Sequence, residues 1–370
     1  MEVKAFEAII AVFDIQLENI NIKPFGNGLI NNTWLVGNPE DRAQCFLLQQ
    51  INHRIFNDVE ALINNIILVT GHIRRKIKKE GGDPEKNVLR LIPLKNGSFY
   101  YQDNEGRYWR MYHFLQDTLC YDHITDTGQA FEGGKAFGRF QSQLTDLPAG
   151  LLTPVIPDFL NMVKRLRDFE AVLNTTPSDR LVAAESLIKE IWKRADKMCF
   201  FQRAELPVRV IHNDTKFNNV LLDHEDKAQC VIDLDTVMPG YVAYDYGDAL
   251  RTIINTAAED EKDIRKIGLD IPLFEAYTRG YFQEAAGFLT EPEVDSLITG
   301  MLLLPYMQAV RFLTDYLDND RYYKVNFPGH NLQRANAQLA LLFRLEEVQP
   351  ILENTIKKLF RQQTMTLQYS

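Results

Sequence analysis

His212-Asn213-Asp214-Thr215-Lys216-Phe217-Asn218-Asn219, followed fourteen residues later by Asp233-Leu234-Asp235, is the stretch on which the fold and the chemistry turn. Moving a phosphoryl group onto a hydroxyl needs a carboxylate to orient or deprotonate the attacking oxygen, oxygen ligands for Mg²⁺, and a cation beside the transferred group. The stretch offers each of these. Asp214 stands as the base, Lys216 as the neutralising cation, and Asn219 with Asp233 as metal ligands. Either aspartate alone would be equally at home capping a turn, but the ordered set is far more specific than its members.

The flanks carry a pattern of their own. Val208-Arg209-Val210-Ile211 enters the loop as a short β-branched run. Val220-Leu221-Leu222 and Gln229-Cys230-Val231-Ile232 follow as two apolar runs separated by polar residues, which predicts a hairpin. A hairpin there would return Asp233 toward Asn219, two oxygen ligands for one hard cation.

Working outward toward the N-terminus, residues 2–17 have an apolar stripe at helical spacing (Phe6, Ile9, Ile10, Phe13). Pro24-Phe25-Gly26-Asn27-Gly28-Leu29-Ile30-Asn31 reads as a glycine turn between strands, with Thr33-Trp34-Leu35-Val36 after it and Cys45 to Ile51 as a third strand. Phe56 to about Lys79 reads as a long helix with a basic end suited to its dipole. Two or three further strands are expected between Val88 and Phe114. From Gly128 onward the pattern is mainly helical, over about 128–145, 157–173, 179–199, 244–257, 271–286, 291–318 and 345–364. The predicted plan is therefore α+β and two-lobed, with a small antiparallel-sheet lobe over 1–115 and a larger, mainly helical lobe over 116–370.

Composition sets bounds. A chain of 370 residues, 45% hydrophobic and 25% charged, has the make-up of a globular protein large enough for two domains. A formal net charge of −9 argues against a nucleic-acid partner, which would call for a basic face. Cys45, Cys120, Cys199 and Cys230 are scattered without metal-ligand spacing, as expected of reduced thiols. Met1-Glu2-Val3-Lys4 opens no signal pattern and no apolar run approaches membrane length. The expectation is a cytoplasmic monomer that binds small molecules and neither nucleic acid nor membrane.

Together, His212 to Asn219, Asp233-Leu234-Asp235, Leu48-Gln49-Gln50-Ile51-Asn52, Trp109-Arg110-Met111-Tyr112, Asp245-Tyr246-Gly247-Asp248 and Arg311 to Leu317 resemble the aminoglycoside phosphotransferase and choline kinase branch of protein-kinase-like folds. Within that branch the chain is most similar to the N-acetylhexosamine 1-kinases. This resemblance implies ATP and Mg²⁺ as co-substrate and cofactor. It also implies transfer to the anomeric hydroxyl of N-acetylglucosamine or N-acetylgalactosamine, with Asp214 as base. It places the sugar near Asp248, Arg311 and Tyr322 and the nucleotide near Gly26, Gly28, Asn31, Thr33 and Gln49, with adenine against Tyr112 and Phe114.

Two departures accompany the resemblance. Gln49 and Gln50 stand where many kinases keep a strand lysine, which the sugar 1-kinases share, and Leu29 stands where those enzymes carry histidine. Arg311 has a competing reading as an i,i+4 partner of Asp315, Tyr322 as core packing, and Asp235 as a brace for the loop. The alternatives for the whole chain are a kinase of another hydroxyl acceptor (an aminoglycoside, a choline-like amino alcohol, another sugar) and a non-catalytic nucleotide-binding module.

Overall fold

The computed structural model describes residues 3–16, 21–26, 28, 30–37, 45–124 and 126–369. Leu29 lies outside them. The chain separates into two compact units, Met1–Cys120 with Gln143–Pro157 and Val220–Pro239, and Tyr121–Ser142 with Asp158–Asn219 and Gly240–Ser370.

In the first unit β1 (Asn21–Pro24), β2 (Asn32–Gly37), β3 (Cys45–Ile51), β4 (Tyr101–Gln102) and β5 (Tyr108–His113) form an antiparallel sheet in the order β1-β2-β3-β5-β4. Strand alternation divides its faces. Phe46, Leu48, Trp109 and Met111 join Phe6, Ile9, Ile10 and Phe13 in one buried cluster, with the Phe6 ring 5.0 Å from Trp34. Thr33, Gln49 and Arg110 are in register across three strands on the opposite face.

The first helix, α1 (Val3–Ile10), is shorter than the predicted 2–17. Phe13 instead forms a bridge to Leu94, and Asp14 N donates to the Pro93 carbonyl at 2.8 Å, so the chain leaves helical geometry to join the sheet layer. Helix α2 (Val59–Lys79) matches its prediction closely: Asp58 caps it by accepting from Ala61 N at 2.9 Å, and Lys76, Lys78 and Lys79 close it. A single turn, α3 (Pro84–Asn87), follows.

The predicted hairpin is present as β7 (Val220–Leu222) against β8 (Ala228–Val231), with Val220 opposite Val231. It belongs to the first unit although it lies outside 1–115. Leu119 and Leu222 exchange backbone hydrogen bonds at 2.7 and 2.9 Å, and Asn65 holds Thr153 and Val237 from α2. Those bonds explain why compactness gathers 116–120, 143–157 and 220–239 with the sheet.

The second unit contains α4 (Thr127–Gln143), α5 (Met162–Leu173), α6 (Ser178–Met198), β6 (Arg209–Ile211), α7 (Val242–Ile253), α8 (Ile271–Ala285), α9 (Glu291–Leu317) and α10 (His330–Gln368); β9 (Met238–Gly240) spans the boundary. The last helix begins fifteen residues before the predicted 345. Ala335, Leu339, Leu342 and Leu345 repeat at helical spacing and are buried, and α10 packs along α9. It also runs through Pro350, which is exposed.

Among the described residues, α9 alone has the length and apolarity to cross a membrane, and most of it is buried within this unit. Thr290 and Glu293 form a reciprocal capping box at its start. Helix α7 presses its backbone onto α9. A Cβ added to Gly247 would stand 2.4 Å from the Gly300 carbonyl carbon, and one added to Gly300 would stand 2.0 Å from the Ala243 carbonyl oxygen.

Candidate active site

In the second unit the loop from His212 to Asn219 is built on two aspartates of α7, spaced one turn apart. Asp245 accepts from the backbone N–H of His212 at 2.8 Å and of Asn213 at 2.7 Å, and from Gln141 Nε2 at 2.9 Å. Asp248 accepts from Thr215 N–H at 3.0 Å and from Arg251 at 3.1 and 3.3 Å. Burial raises the Asp245 carboxyl pKa, and the nearby His212 and the loop N–H groups oppose that rise. His212 is fully buried, its ring edge-on between Phe137 and Phe140. Asn213 adopts a left-handed φ of 65°, a conformation asparagine tolerates better than most residues.

That scaffold presents Asp214, Lys216 and Asn219 together. Lys216 Nζ stands 3.1 Å from an Asp214 carboxylate oxygen. Asn219 Nδ2 donates to the Asp214 carbonyl at 2.8 Å and to its carboxylate at 3.2 Å. Asn219's Oδ1 is thereby the atom left to meet a cation. Burial raises the Asp214 carboxyl, but Lys216, then His212 and Arg251, outweigh it and hold the group below the ordinary carboxylate range. Lys216 is in turn held above the ordinary lysine range, first by Asp214, against burial. A carboxylate ionised at neutral pH beside a fixed ammonium can accept a proton and neutralise developing phosphate charge.

Asp248 joins this constellation as a brace, since the hydrogen bonds just described tie its oxygens to Thr215 and Arg251. The Arg311–Asp315 pair, the competing reading of Arg311, does not form. Asp315 accepts instead from Tyr322 N–H at 2.7 Å, Tyr323 N–H at 2.9 Å and Asn331 Nδ2 at 2.8 Å, fixing the loop that follows α9. Arg311 hydrogen-bonds Gln308 at 2.9 Å and lies over the rings of Phe159 and Tyr323 at 5.9 and 5.6 Å. Tyr322 is 67% exposed, which excludes the core-packing reading.

The first unit carries the residues assigned to the nucleotide. Thr33, Gln49 and Arg110 form a continuous row: Gln49 Nε2 donates to Thr33 Oγ1 at 3.1 Å, and Arg110 Nε donates to Gln49 Oε1 at 2.9 Å. Arg110 then reaches Asp235, Nη2 donating at 2.8 Å and Nη1 lying 2.5 Å from the other oxygen. Asn31 Nδ2 donates to the same carboxylate at 2.7 Å and its Oδ1 accepts from Asn52 N–H at 2.9 Å. Burial disfavours the charge on Arg110, yet Asp235, and more weakly Asp233, raise its pKa above the ordinary value. The cation beside Gln49 is therefore Arg110, supplied by the neighbouring strand. Sequence spacing missed it because the match depends on the β3–β5 register. Asp235 braces Arg110 and Asn31 of the first unit, not the catalytic loop it was expected to hold. Asp233 is exposed at a left-handed φ of 57°.

On the same sheet face a cavity of about 420 Å³ is lined by Leu35, Cys45, Phe114 and the segment 115–118, with Lys23 and His224 at its wall. Phe114 is among its lining residues. Tyr112 lines no part of this cavity; it is buried against Arg110, whose guanidinium carbon lies 5.1 Å from its ring centre. In the glycine turn Gly26 has a φ of 72°, whereas a side chain at Gly28 would meet only ordinary contact with the Asn31 carbonyl at 3.5 Å. The turn demands glycine at the first position only.

Residues 21–287, which include the whole five-stranded sheet and the catalytic loop, match the family described as the phosphotransferase enzyme family. The chain belongs to that family. Solved structures repeat the fold. The amicoumacin kinase hAmiN, in complex with AMP-PNP, Ca²⁺ and Ami, superposes with a TM-score of 0.58 at 13% identity, covering 93% of each chain. A microcompartment-associated aminopropanol kinase gives 0.59 at 13% identity over 95% of this chain and 99% of its own. Choline kinase from Cryptosporidium parvum Iowa II gives 0.59 at 11% identity over 97% and 99%. At such identities the likeness is one of fold. Membership of the phosphotransferase enzyme family sets aside the non-catalytic reading.

Proposed function

We propose that the protein is an ATP-dependent kinase that phosphorylates the anomeric hydroxyl of an N-acetylhexosamine, working as a cytoplasmic monomer. The observation that carries this reading is the Asp214 carboxylate, held ionised with Lys216 Nζ at 3.1 Å on a loop braced by Asp245 and Asp248. Asp214 takes the hydroxyl proton as the sugar oxygen attacks the γ-phosphorus, and the bond to the β-phosphate oxygen breaks to leave ADP. Because an anomeric hydroxyl is more acidic than an ordinary sugar hydroxyl, removal of its proton can come late. Lys216 offsets charge on the transferred group.

The oxygen donors of Asn219 and Asp233 suit Mg²⁺, which takes few protein ligands and completes its shell with phosphates and water. When bound, Mg²⁺ would supply charge neutralisation at the phosphates. Arg311 and Tyr322 hold the sugar, and Asp248 acts on it through the Thr215 backbone.

The resemblance of the sequence segments supports an N-acetylhexosamine, whereas the solved relatives named for aminopropanol and choline, together with the acidic net charge of −9, support an amino alcohol as the second reading. Mg²⁺-dependent ADP release separates them. It is expected with N-acetylglucosamine or N-acetylgalactosamine, and Asp214→Asn should lower kcat by roughly 10²–10⁴. Release confined to amino alcohols or aminoglycosides would transfer the assignment to the second reading.

A further inference from the structure

Arg165 of α5 was not among the residues singled out by sequence, yet it stands beside Arg311 of α9. Its Nη2 donates to the Phe159 carbonyl at 3.1 Å, and the Phe159 ring lies 5.9 Å from the Arg311 guanidinium carbon. Two guanidinium groups thus flank one phenylalanine. The carboxylates nearby are engaged elsewhere: Asp168 is held by Lys164 at 2.8 and 3.0 Å, and Asp315 by the Tyr322 and Tyr323 N–H groups.

Two polar atoms in this cluster are buried with no hydrogen-bond partner among the described residues, Arg165 Nε and Tyr323 Oη. Burial, and then the nearby Arg311 charge, lower the Arg165 pKa. A buried donor without an acceptor is costly, and so is a pair of like charges that Asp168, Tyr322 and Tyr323 only partly offset. Both costs are relieved by one kind of group, an acceptor oxygen bearing full or partial negative charge. An ammonium would add a third cation.

Resting on the sugar-kinase reading, we propose that Arg165 and Arg311 form a subsite for an acyl oxygen of the acceptor, the carbonyl of an acetamido group or a carboxylate, with Tyr322 and Tyr323 beside the ring that carries it. The subsite selects acylated or acidic acceptors and rejects free amines. Arg165 is thereby a specificity-determining residue, and Tyr323 Oη a second donor to the same oxygen.

The test measures kcat/KM for N-acetylglucosamine, glucuronate, glucose and glucosamine at fixed ATP and Mg²⁺, in the native enzyme and in Arg165→Met. In the native enzyme one acyl-bearing sugar should exceed glucose by about tenfold or more, with glucosamine poorest. Preference for N-acetylglucosamine assigns the acetamido carbonyl, and preference for glucuronate the carboxylate. Arg165→Met should erase most of that margin, and the loss should fall on KM for the acyl sugar rather than on KM for ATP. Arg165→Lys, which keeps the charge but not the forked donor, should recover only part.

Glucosamine matching the acyl sugars in the native enzyme would overturn the subsite without any variant, so a misfolded Arg165→Met leaves the inference exposed. An unchanged margin in a folded Arg165→Met would overturn it equally. If no hexose is turned over, the sugar reading fails separately, and the subsite is judged on aminopropanol against N-acetylaminopropanol. A preference for the free amine there would overturn it.

Discussion

The Asp214 loop and the Arg110 row solve the same problem, holding functional groups on irregular backbone, by opposite means. In the second unit, carboxylates of α7 grip backbone N–H groups, so Asp245 fixes His212 and Asn213 without consuming any side chain of the loop. In the first unit a chain of side chains, Thr33 to Gln49 to Arg110 to Asp235, runs across the sheet and ends in a buried ion pair. The first device rests mainly on two aspartates, with Thr215 Oγ1 donating to the Asp245 carbonyl and Asn219 Nδ2 to the Asp214 carbonyl as the loop's own side-chain ties. The second transmits a change at any member to the next, including to Asp235, two residues from Asp233.

The contrast can be broken most severely at Arg110. Arg110→Met strips a 4% exposed Asp235 of its cation, and loss of one partner from a buried pair costs about 3–5 kcal/mol. Urea unfolding of the two proteins checks this, and Arg110→Lys should fall between them because an ammonium cannot bond Gln49 and Asp235 in the same fork. A loss under 1 kcal/mol in both variants would mean the row carries little of the unit's stability.

Asp245→Asn probes the other device and should be milder, roughly 1–3 kcal/mol, since one acceptor oxygen survives while the new amide N–H faces a backbone donor. Its kcat should drop with the stability, whereas an equally stable variant with full activity would show that the loop holds itself. Gauging the two substitutions side by side by the same denaturant series ranks the devices directly.

The smallest effect is expected from pH. Asp214 has a folded pKa below its unfolded value near 3.9, so its contribution to stability is complete above that value and fades as pH falls through the folded pKa. Between pH 5 and 8 this group should impose no slope on the unfolding free energy, and Asp214→Asn should flatten part of the acid decline below about pH 4. The same titration predicts an acid limb in kcat/KM only in that range. A limb centred near neutrality would point to a different ionising group in the rate.

The parts legible in the sequence were those whose information is local. The hairpin after Asn219 follows from two apolar runs and a polar break, and α2 from its Asp58 cap and lysine-rich end. What was not legible depends on partners far along the chain. The early end of α1 requires Leu94 to claim Phe13, and the early start of α10 requires α9 to bury Ala335 and Leu339. Arg110 becomes a companion of Gln49 only once β3 and β5 are in register, 61 residues apart. Arg165 had no motif to flag it, because its meaning comes from Phe159 and Arg311 on other segments. Asp248, expected beside the sugar, grips Thr215 N–H, a bond that spacing does not reveal.

The loop after α9 hangs from residues outside it. Asp315 and Asn331, one on each adjoining helix, hold it, Asp315 accepting from the Tyr322 and Tyr323 N–H groups and Asn331 donating to Asp315 and to the Asp320 carboxylate. Its outward side chains are consequently released from any duty to the fold, and variation at this rim can alter what the enzyme admits while its framework is inherited intact.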